Sequence, residues 1–293
     1  MGHKPLTAPF LAAIAGIALF SVMDALMKRA SIASGAYSAM LVRSVFGVLV
    51  MLPVWRYRRG RWPRAQAMRL HALRGAVAAL MATTFFWALV RLPLAEAIAI
   101  SFIAPLIALY LASVWLGETV SRGAILASVL GFSGVAVIAS ARLGAQDHSP
   151  DALWGIVSVL VSAVAYAVNL VLQRKQALLA SPDEVALFQF GFSGLWLAFA
   201  APWFFVMPQT GGLADIGVAA LFASVSLMLL SWAYGRAEAQ ALVPIEYSAF
   251  VWAAIMGWLW FGEVLAPATV AGTVLIVAGC WIGTRQAAPA SAA

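Results

Sequence analysis

The sequence predicts an all-α integral membrane protein: ten transmembrane helices built as two inverted five-helix repeats. Three observations lead there. Of 293 residues, 64% are apolar and only 10% are charged, where a soluble domain usually carries about a quarter charged residues. The mean hydropathy of +0.95 carries the same meaning: too little polar surface exists to coat a water-soluble globule. The apolar residues also fall into runs of roughly 20, the length of a bilayer-spanning helix, with short polar connectors between them. Finally, the two halves of the chain match one another at a constant shift of 145 residues. Together these exclude a soluble enzyme, a nucleic-acid-binding module and a disordered scaffold.

The breaks between apolar runs place the spans near 9–28, 34–55, 69–89, 94–116, 122–141, 152–172, 184–206, 216–234, 239–261 and 267–283. Connectors are marked by Lys28-Arg29, the arginine-rich 56–64 stretch, Arg91-Leu92-Pro93, Gly117-Glu118, Asp147 to Asp151, Ser181 to Glu184, Gly211-Gly212 and Gly262-Glu263. Helices are required because a β-barrel would need short alternating strands. Lys4 ahead of the run Phe10–Val22 mimics a signal peptide, but no A-x-A-like site precedes Asp24. The run therefore reads as an uncleaved first span.

In the internal match, Trp87-Ala88 aligns with Trp232-Ala233, Arg91 with Arg236, and Trp115 with Trp260. Gly117-Glu118 aligns with Gly262-Glu263, and Asp24 with Asn169. The Trp, Arg and Gly-Glu pairs carry the argument, since Ala and Gly matches are cheap in apolar sequence. Residues 1–145 form the first repeat and 146–293 the second. Five helices is an odd number, so the second copy must enter the membrane with opposite orientation, an architecture of secondary transporters with sites near the midplane.

The formal net charge is +7. Six arginines fall between Arg56 and Arg69 in one connector, the ordinary signature of a cytoplasmic loop rather than of nucleic-acid binding. With the N-terminus inside, 12 basic residues face the cytoplasm and 4 the other side, with Arg43 and Arg74 inside spans. Both termini are expected in the cytoplasm. The single cysteine, Cys280, reads as inert core. Three histidines, His3, His71 and His148, lie outside the deep parts of spans, and no cluster suggests a metal or a cofactor.

Polar residues inside spans point to function, because an unpaired polar group in hydrocarbon is costly. Tyr166, Asn169 and Gln173 share one face of the sixth span; Gln189, Ser193 and Trp196 share one of the seventh; Ser21, Asp24 and Lys28 share one of the first. Either these stripes line a hydrated interior or they are interhelical hydrogen bonds that hold the bundle together. Asp24 and Lys28, four apart, can neutralise one another, and Arg43 can join them as a gate or a structural ion pair. Glu246 has no basic residue within a turn and is a functional candidate by default; the alternative is a hydrogen-bonded carboxyl that only holds helices. Tyr247 beside it and Trp252 and Trp196, which lie well inside spans, complete the cavity candidates. The other tryptophans sit near span ends, where an aromatic belt is expected. Pro105 and Pro244 interrupt the corresponding fourth and ninth spans, freeing the carbonyls of Ser101 and Gln240, and are expected as hinges or cavity walls. Glu118 and Glu263 read as caps of the following helices.

Ala95-Glu96-Ala97 and Pro105 leading to Leu116-Gly117-Glu118, with Ala237-Glu238-Ala239 leading to Phe261-Gly262-Glu263, resemble the drug/metabolite transporter superfamily, EamA type. Gly131 to Val135 and Ala278-Gly279 add to it. The resemblance covers nearly the whole chain. It implies transport of small metabolites, often amino acids, through a central cavity formed by helices one to four and six to nine. Size and aromatic content look most like the aromatic amino acid and methyl viologen exporters (YddG-like). Sugar-phosphate carriers share the fold, but their anionic substrates call for several cavity-facing Lys or Arg.

The expected function is therefore broad export of amino acids, aromatic ones included, by alternating access in a bacterial-type inner membrane. Multidrug or cationic-compound export and transport of another metabolite are the alternatives. Two other classes are weighed. Gly131 to Gly134 and Gly191 to Gly194 both read GxSG, a pattern of intramembrane serine proteases, but a nucleophilic serine needs a nearby base and no histidine lies deep in a span. A channel is disfavoured because inverted repeats favour alternating access. The expected partners are a small-molecule substrate and the lipid bilayer, not nucleic acid; the oligomeric state stays open, a monomer included.

Overall fold

A computed structural model describes residues 7–116, 122–144, 150–208, 210–238, 242, 245–246, 248–264 and 266–286. The helices are α1 (Thr7–Ser34), α2 (Ala36–Tyr57), α3 (Ala65–Leu89), α4 (Leu94–Ser101), α5 (Ile103–Leu116) and α6 (Arg122–Gly144). The second half supplies α7 (Pro150–Leu179), α8 (Pro182–Ala198), α9 (Ala201–Phe204), α10 (Thr210–Tyr234), α11 (Ala249–Phe261) and α12 (Pro267–Gln286). Five of them, α1, α2, α3, α7 and α10, are long and apolar enough to cross a membrane; Ala249–Phe261 and Pro267–Gly279 are shorter apolar helices.

Long Ala- and Leu-rich stretches propagate as helix, and the stops have local causes. Gly35 at φ 81° separates α1 from α2, a left-handed conformation that a side chain would strain. Gly262 at φ 61° ends α11 with its N–H on the Trp258 carbonyl, the bond of a left-handed αL stop, and the Glu263 N–H reaches the Gly257 carbonyl. The expected seventh span, 184–206, is split into α8 and the short α9, with Pro202 in the first turn of α9 where its missing N–H is tolerated.

The fourth and ninth spans are both interrupted. Between α4 and α5 the Phe102 N–H bonds the Ala99 carbonyl at 3.2 Å; before α11 the Ser248 N–H bonds the Ile245 carbonyl at 2.9 Å. Each is a tightened turn closed over three residues. The fourth-span break falls upstream of Pro105, which sits in the first turn of α5. Pro244 and Tyr247 lie outside the described residues, as does Glu118.

Packing brings α1 against α10, α3 against α7, α2 against α8, and α6 against α12. Two apolar clusters fill the interior, one around Met27, Met40, Phe86 and Leu89, the other around Ile17, Leu170 and Tyr234. Val45, Leu49 and Leu52 on α2, Leu160 and Val164 on α7, and Leu221 and Val225 on α10 are exposed. An exposed apolar surface this broad suits lipid contact.

Candidate functional site: a cavity lined by aromatic and charged residues

A cavity of about 190 Å³ lies among α1, α2, α3, α4, α7, α8, α10 and the segment carrying Glu246. Its lining combines five phenylalanines, Phe20, Phe85, Phe86, Phe102 and Phe190, with polar and charged side chains. Helix α7 supplies Ser162, Tyr166, Asn169 and Gln173 to the lining; Tyr166, Asn169 and Gln173 recur at helical spacing, and Gln176 continues their face beyond the cavity.

Glu246 is 5% exposed and accepts from two phenols: Tyr166 Oη to Oε2 at 2.6 Å and Tyr234 Oη to Oε1 at 3.0 Å. Arg74 is 1% exposed. Its Nε donates to Asn169 Oδ1 at 3.0 Å, Nη1 to Gln176 Oε1 at 2.5 Å and Nη2 to Gln173 Oε1 at 2.6 Å. The Gln176 amide nitrogen in turn donates to His71 Nδ1. That assignment leaves the imidazole proton on Nε2, which donates to Glu184 Oε1 at 3.0 Å. A chain of hydrogen bonds thus runs from the cavity to the start of α8. Around it, His71 stacks on Phe188 at 5.0 Å, and Trp55 and Trp62 meet the same ring edge-on.

Two ion pairs lie near the end of α1, outside the cavity lining. Lys28 Nζ lies 2.5 Å from Glu263 Oε1, donates to the Leu92 carbonyl at 3.2 Å and sits 4.7 Å from the Phe261 ring centre. Glu263 Oε2 accepts the Leu94 N–H at 3.0 Å. Arg29 grips the Asp215 carboxylate through both Nε and Nη2.

Of the residues singled out from the sequence, Ser101, Tyr166, Asn169, Gln189, Glu246, Asp24 and Arg43 all line the cavity. Several expectations need correction. Lys28 does not pair with Asp24: it reaches across to Glu263, because its position at the end of α1 faces the α11 stop. Glu263 therefore caps the start of α4 rather than that of α12. Trp196 points outward, 46% exposed, with its indole N–H on the Ala72 carbonyl at 3.0 Å. Trp252 packs against the second apolar cluster instead of lining the cavity. Trp55 is buried rather than an interfacial aromatic. His71 is fully buried, so a histidine does lie inside the protein, yet the GxSG serines are occupied otherwise: Ser133 donates to the Val129 carbonyl at 2.9 Å and Ser193 to the Gly75 carbonyl at 3.2 Å.

Arg74, Gln176, Tyr234, His71 and Glu184 were not among the sequence candidates. Gln176 continues the α7 stripe by one more turn, a legible signal; Tyr234 and Glu184 carry none, since their partners are remote in the chain.

The geometry is that of a small chamber among the helices, and the comparisons say what kind of protein holds it. A model described as the EamA-like transporter family matches residues 7–140 and again 153–284. The chain belongs to the EamA-like transporter family. Its relatives include the "Pseudopaline exporter CntI" of Pseudomonas aeruginosa (strain UCBPP-PA14), 28% identical over 89% of this chain and 90% of the relative. Another is the "S-adenosylmethionine uptake transporter" of Rickettsia prowazekii (strain Madrid E), 24% identical over 88% of this chain and 85% of the relative. A solved crystal structure matches with a TM-score of 0.72 at 21% identity, covering 96% of this chain and 98% of that one; at that identity the likeness speaks to the fold. The chain is thus a small-molecule transporter of the membrane, like its family, and not an enzyme.

Proposed function

We propose that this transporter exports amino acids, aromatic ones included, across a bacterial-type inner membrane by alternating access around the central cavity. One observation carries the reading: a single chamber is lined both by phenylalanines and by the polar residues Tyr166, Asn169, Gln189, Ser101 and Glu246. The phenylalanines suit an apolar side chain, and the polar residues suit the charged groups of an amino acid. Export of plain cations, the second reading, is favoured by Asp24 and Glu246 but disfavoured by Arg43 and Arg74 in the same chamber.

The cycle rests on two inverted repeats, 1–145 and 146–293, and several observations support them. The family model matches twice, at an offset close to the 145-residue shift of the internal match. The paired Trp-Arg motifs adopt one geometry: Arg91 lies 3.4 Å over the Trp87 ring and bonds its carbonyl, and Arg236 lies 4.1 Å over Trp232 and does the same. The packing of α1 on α10 becomes that of α7 on α3 when the halves exchange. Interruptions at Phe102 and Ser248 fall at equivalent places beside the cavity, as in transporters with discontinuous helices. In this reading Pro105 and Pro244 stiffen the two hinges, Asp24 and Arg43 face the substrate path, and Lys28 with Glu263 closes one end.

Glu246 is assigned the coupling role, since it is the carboxylate at the ninth-span break. The test is a substrate panel on purified protein in liposomes, with and without an imposed pH gradient. Wild type should accumulate amino acids against a gradient; Glu246→Gln, which keeps shape but cannot ionise, should lose accumulation and retain exchange. Full accumulation by the variant would remove Glu246 from the coupling step.

A further inference from the structure

Four charged side chains line the cavity: Asp24, Glu246, Arg43 and Arg74. Among the described residues none of them forms an ion pair within 4.0 Å; the pairs that do form lie elsewhere. Arg74 and Glu246 are instead held by neutral groups, the first by three amide oxygens and the second by two phenols. Neutral partners orient an ion without cancelling its charge. A buried ion without a counter-ion is strongly unfavourable unless something supplies one. A guanidinium has five N–H groups, and the three amides take one at each nitrogen, so Nη1 and Nη2 each keep a donor beside the cavity. The partners of the two ions, Tyr166 and Asn169, stand one turn apart on α7, about 4.5 Å along the helix axis.

We propose that the two ions are the two ends of a zwitterion site: Arg74 receives the carboxylate of the substrate and Glu246 receives its ammonium. The substrate class that follows is an α-amino acid with both groups free, its side chain packed among the phenylalanines of the lining. The inference rests on the reading of this cavity as the transport site, and it adds a requirement that reading does not contain. Amines that lack a carboxylate and acids that lack an amine each leave one buried ion unmatched and bind poorly. Arg74, a residue with no place among the sequence candidates, then sets specificity. The amide triad explains why arginine is used: Asn169, Gln173 and Gln176 fix the plane of the fork, as a flexible ammonium could not be fixed.

The test is binding to purified full-length protein in detergent. The standard L-amino acids are screened by thermal shift, and the strongest is titrated beside its decarboxylated amine, its deaminated acid and its methyl ester. In wild type the amino acid should bind at least about tenfold better than any of the three, the value expected of one charge-assisted bond. Arg74→Gln should lose that advantage over the amine and the ester. Glu246→Gln should lose the advantage over the deaminated acid, and Arg74→Lys, which keeps the charge, should retain part of the carboxylate preference. Equal binding of the analogues by wild type, unchanged preference in folded Arg74→Gln, or binding of no amino acid would each overturn the proposal. If Arg74→Gln does not fold, the wild-type comparison and Arg74→Lys still decide. Liposome transport separates the two readings: the binding pattern without transport sinks the export reading alone, whereas transport of ester and amine as readily as amino acid sinks this one.

Discussion

Lys28 is nearly buried and joins three parts of the chain: the end of α1, the turn before α4 and the stop after α11. Its partner Glu263 keeps 18% side-chain exposure, so solvent screens part of the interaction. Breaking such a pair from one side leaves the other charge poorly compensated, at a cost of about 1–3 kcal/mol once the fully buried figure is discounted for exposure. Lys28→Met should therefore lower the thermal unfolding midpoint in detergent, and Lys28→Met with Glu263→Gln should recover most of the loss. The readout is the double-mutant coupling energy; additive single effects would mean that the two residues act independently. The same residue scale explains why an i,i+4 reading of Asp24 and Lys28 failed. Helical spacing allows that pair but does not oblige it, and a carboxylate from another helix competes successfully.

Between elements, α3 and α8 approach closely at Gly75. A Cβ added at Gly75 would stand 2.4 Å from the Phe192 Cβ and 3.0 Å from its carbonyl carbon. The Gly75 carbonyl also accepts from Ser193, so the pair is held by a hydrogen bond that only close backbones permit. Gly75→Ala should force the helices apart and cost about 1–3 kcal/mol, as overpacking does. Gly191→Ala is the control, because nothing lies within 4 Å of its Cβ position; it should change stability by no more than about 0.5 kcal/mol. Monodispersity and melting temperature after extraction report both. An equal response of the two variants would contradict the packing argument. One of the GxSG motifs thus contributes a helix contact through Ser193, with no nucleophile role.

For the molecule as a whole, the distribution of basic residues and the odd number of helices per repeat predict both termini in the cytoplasm, with Gln146 and Gly212 on the far side. Gly212 lies in the first turn of α10, and Gln146 lies outside the described residues. Cys280 is the only cysteine, so its replacement by alanine gives a background for single cysteines at the two positions. Both should react with an impermeant maleimide added from outside intact cells. Labelling of either one only from the cytoplasmic side would contradict the inverted topology.

The sequence by itself determined the membrane class, the approximate limits of the long apolar helices α1, α2, α3, α7 and α10, and the polar stripe that α7 gives the cavity. These depend on composition and on spacing within one helix, which local chemistry controls: apolar runs need lipid or core, and residues three, four and seven apart share a face. Tyr166, Asn169, Glu246 and Gln189 were legible for that reason. Only the tertiary structure decided which stripe faced which. Arg74 meets three amides more than ninety positions away, Tyr234 and Tyr166 converge on Glu246, and Lys28 finds Glu263 at a separation of 235 residues. Trp196 and Trp252 sit inside spans yet face away from the chamber. Depth in the membrane can be read along one chain, but rotation of a helix about its axis is set by its neighbours, and no single segment encodes it.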